Sequence, residues 1–299
     1  MRSFRQVDVF TSELYRGNPV AVVADADGIS DEDMARFANW TNLSETTFIL
    51  PPTDPKADYR VRIFTPTSEL PFAGHPTIGT CYAWLEAGGT ATDGKIIQEC
   101  GVGLVTLRQS EGRLSFAAPE LIRGGHVDEA DIANVAVALN IDRSSIIAAQ
   151  WADNGPGWLA VMLASADEVL ALTPDFTKIE RSGHGVVGEH PIGVVGPNKV
   201  GVEGPTSGAD GEPAIEVRAF FSTGAQVTED PVTGSLNASI AQWLLAEGHS
   251  GSAIGLTAPY VSSQGTVLGR KGRVHVDELD GDIWVGGDAV TAIIGEVLL

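Results

Sequence analysis

Alternation of apolar and polar residues marks most of this chain as short strands. Gln6-Val7-Asp8-Val9-Phe10 switches face residue by residue, and the turn Gly17-Asn18-Pro19 leads into the apolar run Val20-Ala21-Val22-Val23. Extended chain follows from Asn42 to Leu50 and from Tyr59 to Phe64, then through Ile96-Ile97-Gln98, Leu104 to Leu107 and Arg113 to Phe116, with Pro119 marking a crossover. Later strands are predicted at Trp158 to Met162, Ile192 to Val195, Ile215 to Phe221, Arg273 to Val276 and Ile283 to Gly287. Ser30 before Asp31-Glu32-Asp33 is a capping residue with an acidic first turn, so a short helix runs to about Ala38; another lies near Asp128 to Leu139. Two more helices, from about Pro76 to Leu85 and from Pro231 onward, are apolar nearly all round: Ile78, Tyr82, Trp84 and Leu85 in one, Leu236, Ile240, Trp243 and Leu244 in the other. A helix without a polar face is buried. Many short strands with one such helix per half predict sheets wrapped around a helix rather than a doubly wound fold. Gly196 to Gly211, rich in Gly, Pro, Ser and Asp, reads as an exposed loop.

Those two helices belong to a longer repetition. Val61-Arg62-Ile63-Phe64, His75-Pro76-Thr77-Ile78-Gly79-Thr80 and Trp84-Leu85-Glu86-Ala87-Gly88 recur as Val217-Arg218-Ala219-Phe220, Asp230-Pro231-Val232-Thr233-Gly234-Ser235 and Trp243-Leu244-Leu245-Ala246-Glu247-Gly248. A period this long lies far above solenoid spacing, so it implies two related halves, expected to face one cleft. The chain of 299 residues is long enough for two domains.

With 43% hydrophobic and 19% charged residues, the chain has the makings of a substantial core. Its formal net charge of −20 argues against nucleic-acid or anionic-membrane partners. The N-terminus lacks an apolar signal core and no stretch approaches the roughly 20 apolar residues of a membrane span, so a soluble, non-exported, cytoplasmic protein is expected. Cys81 and Cys100 fit neither a disulfide framework nor a metal-ligand spacing and are expected to be reduced, buried thiols. His184 and His190 sit in glycine-rich sequence that would not hold a helical metal-binding face, so no metal site is expected.

Candidate chemistry gathers at the repeated turns. Proline is tolerated at a helix start, and Gly79-Thr80 and Gly234-Ser235, placed in the first turns, would let a ligand approach the backbone. Two such helix starts offer free N–H groups and positive dipole ends, a carboxylate site needing no lysine or arginine; the plain alternative is two ordinary helix starts. His75 and Asp230 precede the two prolines at positions that the repeat makes equivalent, and both can move protons. Structural alternatives are a turn histidine and a helix-capping aspartate. Glu45, at the lip of a strand, would have a raised proton affinity if partly desolvated, suiting a general base, but spacing alone does not prefer it over Glu69 or Glu229.

Taken together, Asn18-Pro19, Asn42-Leu43-Ser44-Glu45-Thr46, Phe72-Ala73-Gly74-His75-Pro76-Thr77, Glu229-Asp230-Pro231-Val232-Thr233-Gly234-Ser235 and the closing Val285-Gly286-Gly287 resemble the phenazine-biosynthesis isomerase (PhzF-like) family along essentially the whole chain. The resemblance implies an α+β, diaminopimelate epimerase-like fold of two pseudo-symmetric domains, each a mixed, mainly antiparallel sheet around a central helix: residues 1–118 with a returning 284–299, and 119–283. It also implies a homodimer without cofactor acting on a small carboxylic acid. Carried onto this chain, it makes Glu45 the general acid/base, His75 and Asp230 its helpers, and Gly74 and Ser235 substrate contacts. Related racemases use two cysteines at the corresponding turns; here both turns lack one. The expected reaction is the isomerisation of trans-2,3-dihydro-3-hydroxyanthranilate or a similar unsaturated acid. Its rivals are an epimerase or racemase of amino or hydroxy acids, and a non-catalytic binding protein on the same fold.

Overall fold

A computed structural model describes residues 1–175, 178, 190–198, 212–222, 227–246 and 254–299. His184, Glu247, Gly248 and residues 199–211 of the expected exposed loop lie outside the described residues. The chain divides into two compact units, Met1–Ala117 with Gly286–Leu299, and Ala118–Val285.

The first unit contains β1 (Arg2–Val9), β2 (Asn18–Val23), α1 (Asp31–Thr41), β3 (Glu45–Leu50), β4 (Tyr59–Phe64), β5 (Glu69–Leu70), α2 (Gly74–Glu86), β6 (Lys95–Cys100), β7 (Gly103–Ser110) and β8 (Arg113–Ala117). Strand β2 runs antiparallel to β1 and parallel to β3; β4 is antiparallel to β3 and β5 and parallel to β6; β7 is antiparallel to β6 and β8. Helix α2 packs against β1, β2 and β3. Residues Gly74 to Cys81 and Ala83 are buried, which its nearly continuous apolar surface requires. On the other side α1 is amphipathic: Met34 and Ala38 join Val23, Phe48 and Phe64 in a separate cluster, while Ser30 caps the helix by accepting from the Asp33 N–H.

The second unit holds β9 (Arg123–Gly125), α3 (Glu129–Leu139), β10 (Ala148–Asp153), β11 (Leu159–Met162), α4 (Ala166–Ala171), β12 (Ile192–Pro197), β13 (Ile215–Ser222), β14 (Val227–Asp230), α5 (Gly234–Leu245), β15 (Tyr260–Gln264) and β16 (Gly272–Leu279). Strand β17 (Asp282–Gly287) carries the chain across the boundary, and β18 (Ala289–Val297) lies antiparallel along β1 in the first unit. From β10 to β16 the pairings repeat those from β1 to β7 in order and direction, with α5 as buried as α2. These are two pseudo-symmetric α+β units, each a mixed sheet around one central helix. Among the described residues no helix is long and apolar enough to cross a membrane.

Strand register corrects the alignment of the repeat. Glu69 lies opposite Phe64, and Glu229 opposite Phe220, so the counterpart of Asp230 is Leu70, next along each strand. Gly74 and Gly234 each open their helix, which matches His75 with Ser235. The sequence match of Pro76 to Pro231 is therefore misleading. Pro76 is the third residue of α2, where a missing N–H costs nothing, while Pro231 lies outside α5 altogether. His75 and Asp230 are not equivalent positions. In the same way Thr46 opposite Phe64 matches Ile192 opposite Phe220, so Pro191 stands where Glu45 stands in the first unit.

Candidate active site

Glu45 opens β3 and His75 is the second residue of α2, so one strand end and one helix start bring them together. His75 Nε2 lies 3.2 Å from Glu45 Oε2, with side chains 6% and 15% exposed. The approach misses hydrogen-bond alignment, and His75 Nε2 is buried without such a partner. It is not an ion pair either. Burial pushes the imidazole down to about 3, and a hydrogen bond to the Pro19 backbone offsets only part of that, so His75 is neutral at neutral pH. Asn18 Nδ2, fully buried, stands 3.5 Å from His75 Nδ1. A carboxyl group beside a neutral imidazole can take up a proton, and the imidazole can hand one on without changing the net charge.

The three glutamates left open by the sequence separate here. Arg62 holds Glu69 through two hydrogen bonds of 2.8 and 2.7 Å, and Arg218 holds Glu229 through two of 2.9 and 2.7 Å. Both are paired strand to strand at matching places in the two units, which is structural work. Glu45 stands beside the neutral histidine instead.

Helix starts are also not alike. Ser30 and Ser165 cap α1 and α4, each with acidic residues in the first turn. Neither α2 nor α5 has a side-chain cap or an acidic residue there. Their first-turn N–H groups thus keep their capacity to bind an anion. Gly74 and Gly234 sit at these starts, both buried. Gly79 and Thr80 do not. A Cβ on Gly79 would come within 2.4 Å of Val20 Cγ1 and 2.9 Å of Val9 Cγ2, so this glycine lets the helix touch the sheet. The Thr80 hydroxyl donates to Thr47 Oγ1 at 2.8 Å in the core. Both belong to helix–sheet packing, a correction to their expected place in a ligand site.

In the second unit Asp230 ends β14, and the Thr233 hydroxyl donates to its Oδ2 at 2.5 Å. Ser235 Oγ accepts from the fully buried Trp158 Nε1 at 3.1 Å, and Asn154 Nδ2 holds the Ser235 carbonyl at 2.9 Å. Because an indole N–H only donates, the single Ser235 hydrogen is left to point elsewhere. In the sequence Asn18 is marked by its turn and Thr233 by the motif from Glu229 to Ser235, but neither has an assigned role, and Asn154 and Trp158 have no functional signal. Cys81 is buried as expected, whereas Cys100 is half-buried. Among the described residues no group of three or more His, Cys, Asp or Glu is placed to hold a metal ion.

The fold is that of the epimerase-like proteins. The hydroxyproline epimerase of Agrobacterium vitis shares the fold at a TM-score of 0.51 and 13% identity, over 98% of this chain and 91% of that one. A PhzF-family phenazine biosynthesis protein from Enterococcus faecalis matches more closely, at a TM-score of 0.76 and 24% identity over 100% of both chains. The family model for phenazine biosynthesis-like proteins matches residues 7–295, and the chain belongs to that family. It is 37% identical over 310 residues, 98% of each chain, to antisense-enhancing sequence 1 of Schizosaccharomyces pombe. It is also 37% identical over 178 residues to trans-2,3-dihydro-3-hydroxyanthranilate isomerase of Pseudomonas aeruginosa, covering 58% of this chain and 62% of the relative.

Proposed function

We propose that this protein is a cofactor-independent isomerase that shifts a proton along a small unsaturated or cyclic carboxylic acid, in the manner of a trans-2,3-dihydro-3-hydroxyanthranilate isomerase. The observation that carries the reading is Glu45 Oε2, 3.2 Å from a buried, neutral His75 beside the uncapped start of α2. The N–H groups of the helix start bind the substrate carboxylate, which fixes the carbon skeleton against Glu45. Glu45 removes the proton from C3, the electron pair moves along the conjugated system, and the protonated Glu45 returns the proton at C1. The product is an enol that becomes a ketone, with no atom gained or lost. A positioned acid/base group of this kind supplies about 100- to 10,000-fold per transfer.

Asp230, with Gly234 and Ser235 at the start of α5, is assigned a supporting part in binding and proton movement. The relative's name supports the substrate class, and the absence of a carboxylate at Pro191 counts against a mechanism with two matching bases. We extend the proposal to a cytoplasmic homodimer, checked by native mass spectrometry and cell fractionation.

The deciding experiment is NMR of the protein with trans-2,3-dihydro-3-hydroxyanthranilate in deuterated buffer, beside Glu45→Gln. Conversion that Glu45→Gln lowers at least about 100-fold is expected, with deuterium at the receiving carbon reporting how far the shuttled proton meets solvent. Equal conversion by the folded Glu45→Gln variant would remove Glu45 from the chemistry. No conversion by the unaltered protein would remove this substrate.

A further inference from the structure

Gln264, the last residue of β15, is fully buried and spends all its hydrogen-bonding capacity on one turn. Its Nε2 donates to the Asp230 carbonyl at 3.0 Å and to the Thr233 hydroxyl at 2.9 Å. Its Oε1 accepts from the Thr233 N–H at 3.0 Å and from Asn237 Nδ2 at 2.9 Å. The partners leave no freedom in how the amide is turned, because a backbone N–H only donates and a carbonyl only accepts. The Thr233 hydroxyl inherits that direction. Having accepted from Gln264, it sends its one hydrogen to Asp230 Oδ2 at 2.5 Å, within the range for a hydroxyl donating to an ionised carboxylate. A proton on that oxygen would leave the Thr233 hydrogen without its acceptor.

We propose that Gln264 is a positioning residue for Asp230, acting through the Thr233 hydroxyl to hold the carboxylate ionised and in one orientation. The relay explains why a glutamine is buried under a turn whose own backbone could have been capped more simply. Its functional value rests on the isomerase reading; its electrostatic content does not. The charged groups on the elements around the turn include Arg218 and Glu229, engaged with each other, Glu216 on β13, Arg273 on β16, and Lys271 beside Arg270, whose stem packs beside Gly265 and the Pro231 carbonyl. None of them is altered in the test.

The test is a ¹³C NMR titration of the Asp230 carboxyl, assigned by its loss in Asp230→Asn, and it needs no substrate. Thr233→Val removes the hydroxyl at constant shape and is expected to raise the Asp230 midpoint by about one pH unit, while Thr233→Ser keeps the native midpoint. Gln264→Met should shift it in the same direction and add nothing in the Thr233→Val background. An unchanged midpoint in folded Thr233→Val overturns the relay, and so do additive shifts. Should Gln264→Met fail to fold, the Thr233→Val and Thr233→Ser pair decides alone. A native protein that leaves trans-2,3-dihydro-3-hydroxyanthranilate unchanged while the midpoint moves would remove that substrate and leave the relay standing.

Discussion

Arg62–Glu69 and Arg218–Glu229 are one ion pair built at two depths, and they should differ sharply in what they contribute to stability. The Arg218 and Glu229 side chains are 4% and 11% exposed, against 16% and 42% for Arg62 and Glu69. Glu229→Gln keeps the side-chain shape but leaves the Arg218 charge in the interior, facing the Val169 and Leu172 carbonyls and a neutral amide. Removing one partner of a buried pair costs about 3–5 kcal/mol, and the surviving carbonyl bonds place this variant near the lower end, about 3 kcal/mol. That is roughly a 150-fold fall in the folded-to-unfolded ratio. Glu69→Gln acts on a half-exposed pair, and Arg62 retains its contact with Asp31, so the expected loss is about 0.5 kcal/mol. Urea unfolding followed by circular dichroism at pH 7 measures both. Losses equal within about 0.5 kcal/mol would refute the claim that depth decides the worth of the pair.

Two further expectations concern single groups. The unfolded chain protonates His75 near pH 6.5, whereas the folded protein resists until about 3. Between those values the unfolded state holds the extra proton, so stability is full above 6.5 and falls with pH below it, by up to about 1.4 kcal/mol per unit. His75→Asn should flatten that fall between pH 6.5 and 4, and an unchanged slope in denaturation at pH 4, 5 and 7 would contradict a neutral imidazole. Burial also pushes the Cys81 thiol up to about 12, while Cys100 is half-buried. A thiol reagent such as Ellman's should therefore label Cys100 alone in the native protein and both thiols in urea; two fast native thiols would count against the buried position of Cys81.

Strands and helices were legible in the sequence because their signals are local. Tyr59 to Phe64 alternates and is a strand, Ser30 with its acidic turn caps α1, and the all-round apolar α2 and α5 are buried. Strands β9, β10, β14, β15 and β18 are not among the predicted ones, nor is short α4, although Ser165, Asp167 and Glu168 carry the same capping signature as α1. The two halves misregister in sequence for a physical reason: His75-Pro76 and Asp230-Pro231 share a proline, but a proline inside the first turn of one helix and a proline before another serve different backbone needs. The site was legible only as a set of candidates. Glu45, Glu69 and Glu229 look alike until Arg62 and Arg218 are seen to hold two of them, and those contacts depend on strand register. Gln264 and Trp158 carried no signal because their partners lie 31 and 77 residues away and their work is to orient another side chain.

On the proposed mechanism, Pro191 in the place of Glu45 has a stereochemical consequence. A single carboxylate lifts and returns a proton only on the face of the substrate that it touches, so a shift carried by Glu45 alone is suprafacial. Inverting a centre would require a second acid or base, and the duplication that gave both units the same strands did not repeat Glu45.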